Sequence, residues 1–148
     1  MGRLTFQGGV HPNYRKEITS DRPITPLAAP AQVIIPLHQN IGAPPEPLVA
    51  VGDLVKVGQK IADTEAFVSA PVHASVSGKV VAIENRPSCI GKEVLAVVIE
   101  SDGQDTPWEG LQPYPALEEM SPDDLRQALR EGGLVGMGGA MFPTHVKV

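Results

Sequence analysis

The sequence predicts a mainly β fold: a small barrel or sandwich of short strands, preceded by an extended arm and followed by one helix that runs into a glycine-rich loop. Three observations predict it. From Gln32 to Gly103, short β-branched runs alternate with turn residues, the pattern of strands in a small all-β module. Ahead of them, prolines at 12, 23, 26, 30 and 36 interrupt the chain, and each removes a backbone donor and blocks a continuous helix. Behind them, a helix start at Ser121 to Asp124 leads to glycines at 132, 133, 136, 138 and 139.

Residues 1–31 form the expected arm. Its charges, Arg15-Lys16-Glu17 and Asp21-Arg22, make it a solvated or docked strip, one that wraps another part of the protein. His11, beside Pro12, reads as a surface histidine in a turn and receives no catalytic role. The compact module spans 32–103. Strands are expected at Val33 to Leu37, Leu48 to Val51, Leu54 to Val57, Lys60 to Ala62, Phe67 to Ala70, Ser75 to Ile83 and Val94 to Ile99, each β-branched or apolar. The cluster Pro44-Pro45-Glu46-Pro47 is a rigid link that cannot join a ladder as a central strand.

Within the module, Gly52-Asp53-Leu54-Val55-Lys56-Val57-Gly58-Gln59-Lys60-Ile61 sets Gly-Asp and Gly-Gln turns around one strand. Ala70-Pro71 and Gly78-Lys79-Val80 follow. This order resembles the biotinyl/lipoyl carrier fold, the barrel-sandwich hybrid. A carrier presents an acylated lysine at the tip of the hairpin between those parts, but here the tip reads Asp63-Thr64-Glu65-Ala66-Phe67. Lys56 and Lys60 precede it and read as solvated strand-edge charges. The module is therefore expected to keep the sandwich as a structural or docking unit. His73 reads as an ordinary surface or hydrogen-bonded histidine, and Cys89 as an incidental thiol.

Composition excludes several classes. At 148 residues and 42% hydrophobic, the chain has material for one core with extensions. A net charge of −5 with no Lys/Arg run offers nothing to a nucleic-acid backbone. The single cysteine allows no internal disulfide, and no metal ligands cluster around it. No stretch reaches the roughly 18 apolar residues of a membrane span, and Met1 to Val10 lacks the features of a signal peptide. The expectation is a chain that meets a membrane only through partners.

Residues 104–120 read as a linker with Trp108, Leu111, Tyr114 and Leu117 as packing anchors, beginning at a polar stretch, Gln104 to Pro107, that breaks the sandwich. The last segment, 121–148, opens with Ser121 as N-cap, Pro122 at the first helical position and Asp123 and Asp124 in the first turn. Leu125, Ala128 and Leu129 make an apolar stripe, Arg130 lies in the last turn, and Gly132-Gly133 ends the helix. The loop beyond it lacks Cβ atoms at five positions, so a ligand can lie directly on its N–H groups, and Lys147 stands by as a counter-charge. It differs from the dinucleotide-binding loop of doubly wound folds, which leaves a strand and opens a helix.

Gly136-Met137-Gly138-Gly139-Ala140-Met141-Phe142-Pro143-Thr144-His145-Val146-Lys147 resembles the signature that opens the FMN- and NADH-binding domain of the flavin subunit of respiratory complex I. The same signature occurs in the C subunit of the Rnf electron-transport complex. Gly8-Gly9-Val10-His11-Pro12, the run Phe67-Val68-Ser69-Ala70-Pro71-Val72-His73 and a lipoyl-like module placed before the flavin signature favour the Rnf family. The resemblance implies a peripheral subunit on the cytoplasmic side of the cell membrane. Its partners are the other subunits of an ion-translocating complex, which couples ferredoxin and NAD(H) through FMN and iron–sulfur clusters. Carried over residue by residue, Gly136, Met137, Gly138 and Gly139 lie against the flavin and Lys147 meets its phosphate; no catalytic or metal-binding residue is assigned. Two 4Fe-4S clusters are expected beyond residue 148, and no cofactor is expected to stay bound to this segment alone. Two departures are visible: Met141 stands where the signature has glycine, and Met137 where the complex I branch has arginine. A self-standing docking module without catalysis is the alternative reading, and a modified carrier domain the third.

Overall fold

A computed structural model describes Gly8, residues 12–88 and residues 91–148. The readings of His11 and Cys89, and most of the Gly8 to Pro12 run, lie outside the described residues. The module is built from two sheets around one core, which is the mainly β architecture the sequence predicts. One sheet has the order β1-β7-β6-β3 and the other β2-β4-β5. Their ranges are β1 Gln32–Pro36, β2 Glu46–Pro47, β3 Leu54–Val55, β4 Lys60–Asp63, β5 Val72–His73, β6 Gly78–Pro87 and β7 Glu93–Ser101.

Strand β7 is the spine. Its Ala96-Val97-Val98-Ile99 run is at most 1% exposed, because β1 and β6 flank it on both edges and both its faces are covered. Such a strand reads as a continuous apolar run rather than an alternating one. Val97 and Ile99 point into the core with Ile35, Leu37, Val55, Ile61, Ala62, Val72 and Val80. Strand β6 shifts register against β7 between Val80 and Ala82, a bulge that bends the sheet toward closure.

Several strands differ from the sequence reading. Leu48 to Val51 is no strand: its backbone turns, with Asp53 accepting from the Ala50 N–H at 2.8 Å and donating its own N–H back to Ala50. The proline-rich stretch supplies β2 instead, on the outer edge of its sheet, where a proline's missing donor faces no partner. Phe67 to Ala70 forms no strand because its polar groups serve neighbouring loops. The Val68 carbonyl accepts from the Ala43 N–H, and the buried Ser69 hydroxyl donates to the Ala43 carbonyl at 2.8 Å. Strand β3 is only two residues long, and β6 begins three residues later than expected and runs to Pro87.

The polar stretch after Gly103 does not break away from the sandwich. Ser77 Oγ donates to Asp102 at 2.6 Å and accepts the Thr106 N–H at 2.9 Å. Val57 then exchanges backbone hydrogen bonds with Thr106 and Trp108. The Leu111 side chain rests against Gly58, while Trp108, Tyr114 and Leu117 remain partly or largely exposed.

Helix α1 spans Pro122–Glu131 and begins in a capping box: the Ser121 side chain accepts from the Asp124 N–H, and the Asp124 carboxylate accepts from the Ser121 N–H. It stops in a Schellman turn, in which the N–H of Gly133 reaches the Arg130 carbonyl and that of Leu134 reaches the Leu129 carbonyl. The left-handed residue is Gly133, at φ +65°, whereas Gly132 keeps helical dihedrals.

Candidate functional site

The glycine-rich loop sits on a short two-stranded stem. Val135 bridges Pro143; the Gly136 N–H donates to the Phe142 carbonyl at 3.0 Å, and the Thr144 N–H to the Leu134 carbonyl at 2.9 Å. Pro143 and His145 are buried below it. The loop therefore projects from a fixed base. At its tip Met137 is fully exposed, and no atom lies within 4 Å of where a Cβ on Gly138 or Gly139 would be. Among the described residues, no hydrogen bond takes up the N–H groups of Met137, Gly138, Gly139 or Ala140.

A single 3-10 turn, Thr144–Val146, folds Lys147 back toward the stem of this loop. Its Nζ lies 5.7 Å from the centre of the Phe142 ring and would be 3.5 Å from a Cβ on Gly136. The fold thus brings Gly136 and Lys147 together and leaves Met137, Gly138 and Gly139 at the open tip. Free N–H groups at the tip, with an ammonium at the Gly136 end of the stem, are chemistry that suits an oxyanion such as a phosphate. No group of three or more His, Cys, Asp or Glu side chains among the described residues could hold a metal ion.

Met141 occupies the glycine position of the signature with φ +49°. A side chain in the left-handed region costs about 1–2 kcal/mol, partly offset because glycine gains more freedom on unfolding. Met141→Gly is therefore expected to raise stability by about 0.5–1 kcal/mol, read as a higher urea midpoint at unchanged slope.

The loop's base is joined to the β module by charge. Arg130 forks onto Asp63, with Nη2 to Oδ1 at 2.9 Å and Nη1 to Oδ2 at 3.3 Å, and Nη2 also donates to the Thr64 carbonyl at 2.6 Å. Lys60 donates to Asp63 at 2.8 Å and to Glu131 at 2.6 Å. Lys60 is thus no solvated edge charge; with Asp63, Arg130 and Glu131 it closes a partly buried ring of alternating sign. Lys56 pairs with Glu109 at the surface. On the other side of the hairpin His145 Nε2 lies 3.1 Å from the Phe67 carbonyl, with the two rings edge to face. The Ile41 N–H reaches Ala140 at 3.2 Å.

Burial raises the Asp63 carboxyl, but hydrogen bonds from Arg130 and Lys60 outweigh it and hold the group below the usual carboxylate range. The Lys60 hydrogen bond leads the same downward shift at Glu131. Burial lowers Lys60, yet its two carboxylate partners leave it raised; Arg130 is raised chiefly by Asp63. The carboxylates' contribution to stability is complete above about pH 4.3 and lost as pH falls through their depressed folded values. The cations' contribution is complete below about pH 10.4 and lost only as pH rises beyond it.

His73 lies under this ring, half-buried and donating to the Glu131 backbone. Burial, then the Lys60 charge, lowers its proton affinity. The unfolded chain therefore takes up a proton near pH 6.5 that the folded chain takes only at lower pH, so stability falls as pH drops below about 6.5. In His73→Gln that decline is expected to vanish between pH 6.5 and 5, while wild type keeps it, as urea midpoints across the range would show.

Arg130, Asp63 and His145 were not legible as a group. Arg130 reads in sequence only as a helix-end charge, and Asp63 lies 67 residues away from it. The one available signal was indirect: Phe67 to His73 and Gly136 to Lys147, two of the runs that carry the Rnf resemblance, are in contact.

Fold and site define a barrel-sandwich module without a lysine at the tip of its carrier-position hairpin, joined to a glycine-rich loop. Residues 4–104 match the family model of the RnfC barrel sandwich hybrid domain, and the chain belongs to that family. It is 51% identical over 144 residues to the C subunit of the Na(+)-translocating ferredoxin:NAD(+) oxidoreductase complex of Acetobacterium woodii, covering 97% of this chain and 32% of that relative. Identity is 47% over 144 residues to the C subunit of the proton-translocating ferredoxin:NAD(+) oxidoreductase complex of Clostridium ljungdahlii, covering 97% and 32%. It is 38% over 147 residues to the C subunit of the ion-translocating oxidoreductase complex of Rhodobacter capsulatus, covering 98% and 28%. The chain spans about a third of the length of these relatives or less.

Proposed function

We propose that this chain is the front segment of a peripheral subunit of a membrane-bound, ion-translocating complex that couples ferredoxin and NAD(H). Its glycine-rich loop contributes to an FMN site: Gly136, Met137, Gly138 and Gly139 lie along the flavin and Lys147 pairs with the phosphate. The observation that carries the reading is the loop itself, with free N–H groups at an open tip and the Lys147 ammonium at the Gly136 end of its stem, in a chain whose relatives are named as the C subunits of such complexes. Bound FMN supplies hydride exchange with NAD(H) and one-electron exchange with iron–sulfur centres. This chain's residues approach the ring with bare backbone and neutralise the phosphate. The iron–sulfur clusters belong to later parts of the subunit. The arm at 1–31, the module at 32–103 and the link at 104–120 hold the loop segment, 121–148, against the rest of the complex. No helix among the described residues is long and apolar enough to cross a membrane, and the subunit is placed on the cytoplasmic face through its partners.

The test is a fluorescence titration of the full-length subunit with FMN and with riboflavin, which lacks the phosphate. Lys147→Met is expected to weaken FMN about 10-fold, the loss of one charge-assisted contact, and to leave riboflavin unchanged. If both ligands weaken alike, or neither does, Lys147 is not the phosphate partner.

A further inference from the structure

In a carrier domain the hairpin between β4 and β5 presents the modified lysine. Here the same hairpin, residues 64–71, spends its backbone carbonyls on the segment that bears the loop. Thr64 accepts from Arg130 at 2.6 Å, and Phe67 lies 3.1 Å from His145 Nε2. Pro71 stands so close that a Cβ on Gly133 would be 2.6 Å from its oxygen. These contacts grip the segment at the end of α1 and below the loop stem. Both anchoring side chains are well enclosed: Arg130 is 20% exposed and His145 is buried.

We propose that this hairpin is the seat that aims the glycine-rich loop, with Arg130 and His145 as positioning residues for the flavin phosphate site. Neither side chain needs to touch the ligand. Arg130 fixes the exit of α1 through its fork on Asp63, a geometry that a point-charge lysine reproduces only in part. His145 fixes the stem from the other side. The proposal rests on the FMN reading for its ligand, but the mechanical link can be measured without any ligand.

Two readouts test it in the full-length subunit: amide hydrogen exchange, and FMN affinity with the bound flavin's visible circular dichroism. Arg130→Met and His145→Leu are expected to speed exchange at the bonded stem amides of Gly136 and Thr144 at least 10-fold, to leave β6 and β7 unchanged, and to weaken FMN about 10-fold with an altered dichroism band. His145→Gln, whose amide can still donate to Phe67, should restore wild-type behaviour, and Arg130→Lys should fall between. Unchanged exchange at Gly136 and Thr144 in both disruptive variants would overturn the proposal. So would equal acceleration in β6 and β7, which marks general loss of structure. If the wild-type subunit binds no FMN, the functional reading fails and the exchange data alone decide whether the seat exists.

Discussion

Gly78→Ala is expected to unfold the β module, at a cost of about 4 kcal/mol or more. An added Cβ would collide with the Glu100 carbonyl oxygen, lie 2.9 Å from its carbon and 3.0 Å from the Ser101 Cα. All three atoms are backbone of β7, and β7 cannot retreat because β1 is bonded along its other edge from Gln32 to Pro36. Gly78 also pairs with Val55 of β3, so moving β6 instead would open that ladder too. Relief thus requires parting strands rather than turning a side chain, which puts the cost at or above the upper range for overpacking. Against a typical total of about 5–15 kcal/mol, the variant stands near the threshold of folding. Gly103→Ala is the control: it has a positive φ of +70° but open space around the added methyl, and is expected to cost only about 1 kcal/mol. Urea unfolding of both variants decides the matter, and similar losses would mean that β7 yields more readily than its pairing implies.

The elements legible in sequence were those whose signals are local. The four buried residues of β7 announce a strand covered on both faces. Ser121, Pro122, Asp124 and Gly133 announce both ends of α1 through side-chain chemistry that acts within a turn. The Gly-Asp and Gly-Gln turns fixed the carrier-like order. Illegible were the features decided by contacts distant in sequence. Phe67 to Ala70 has strand composition, yet loops around Ala43 and His145 claim its polar groups. Lys60 looks like an edge lysine until Glu131, 71 residues on, comes to meet it. The glycine-rich loop was readable as a loop, but what holds it was not, because Arg130 and Asp63 belong to different elements and share no motif.

The second large effect is expected at Gly133, where an alanine should detach the loop segment from the hairpin while sparing the barrel. Two costs add. The residue sits at φ +65°, worth about 1–2 kcal/mol against any side chain, and its Cβ would stand 2.6 Å from the Pro71 carbonyl oxygen and 3.3 Å from His73 Nδ1. The Pro71 backbone is restrained, since Val72 beside it is paired with Ala62 in β4. Together these reach about 2–4 kcal/mol, enough to open a joint held by one ion cluster and a few backbone contacts. The strain falls outside the core, so the module's own unfolding midpoint should barely move. Gly132→Ala makes the contrast, because φ there is −71° and the nearest foreign atom is the Ala128 oxygen at 3.2 Å; about 0.5 kcal/mol either way is expected. Hydrogen exchange distinguishes the cases. In Gly133→Ala, the bonded amides of Leu134, Gly136 and Thr144 should lose protection at least 10-fold with β6 and β7 intact. Loss spread evenly over both parts would show that barrel and loop segment unfold as one unit, and protection kept throughout would show that Pro71 gives way.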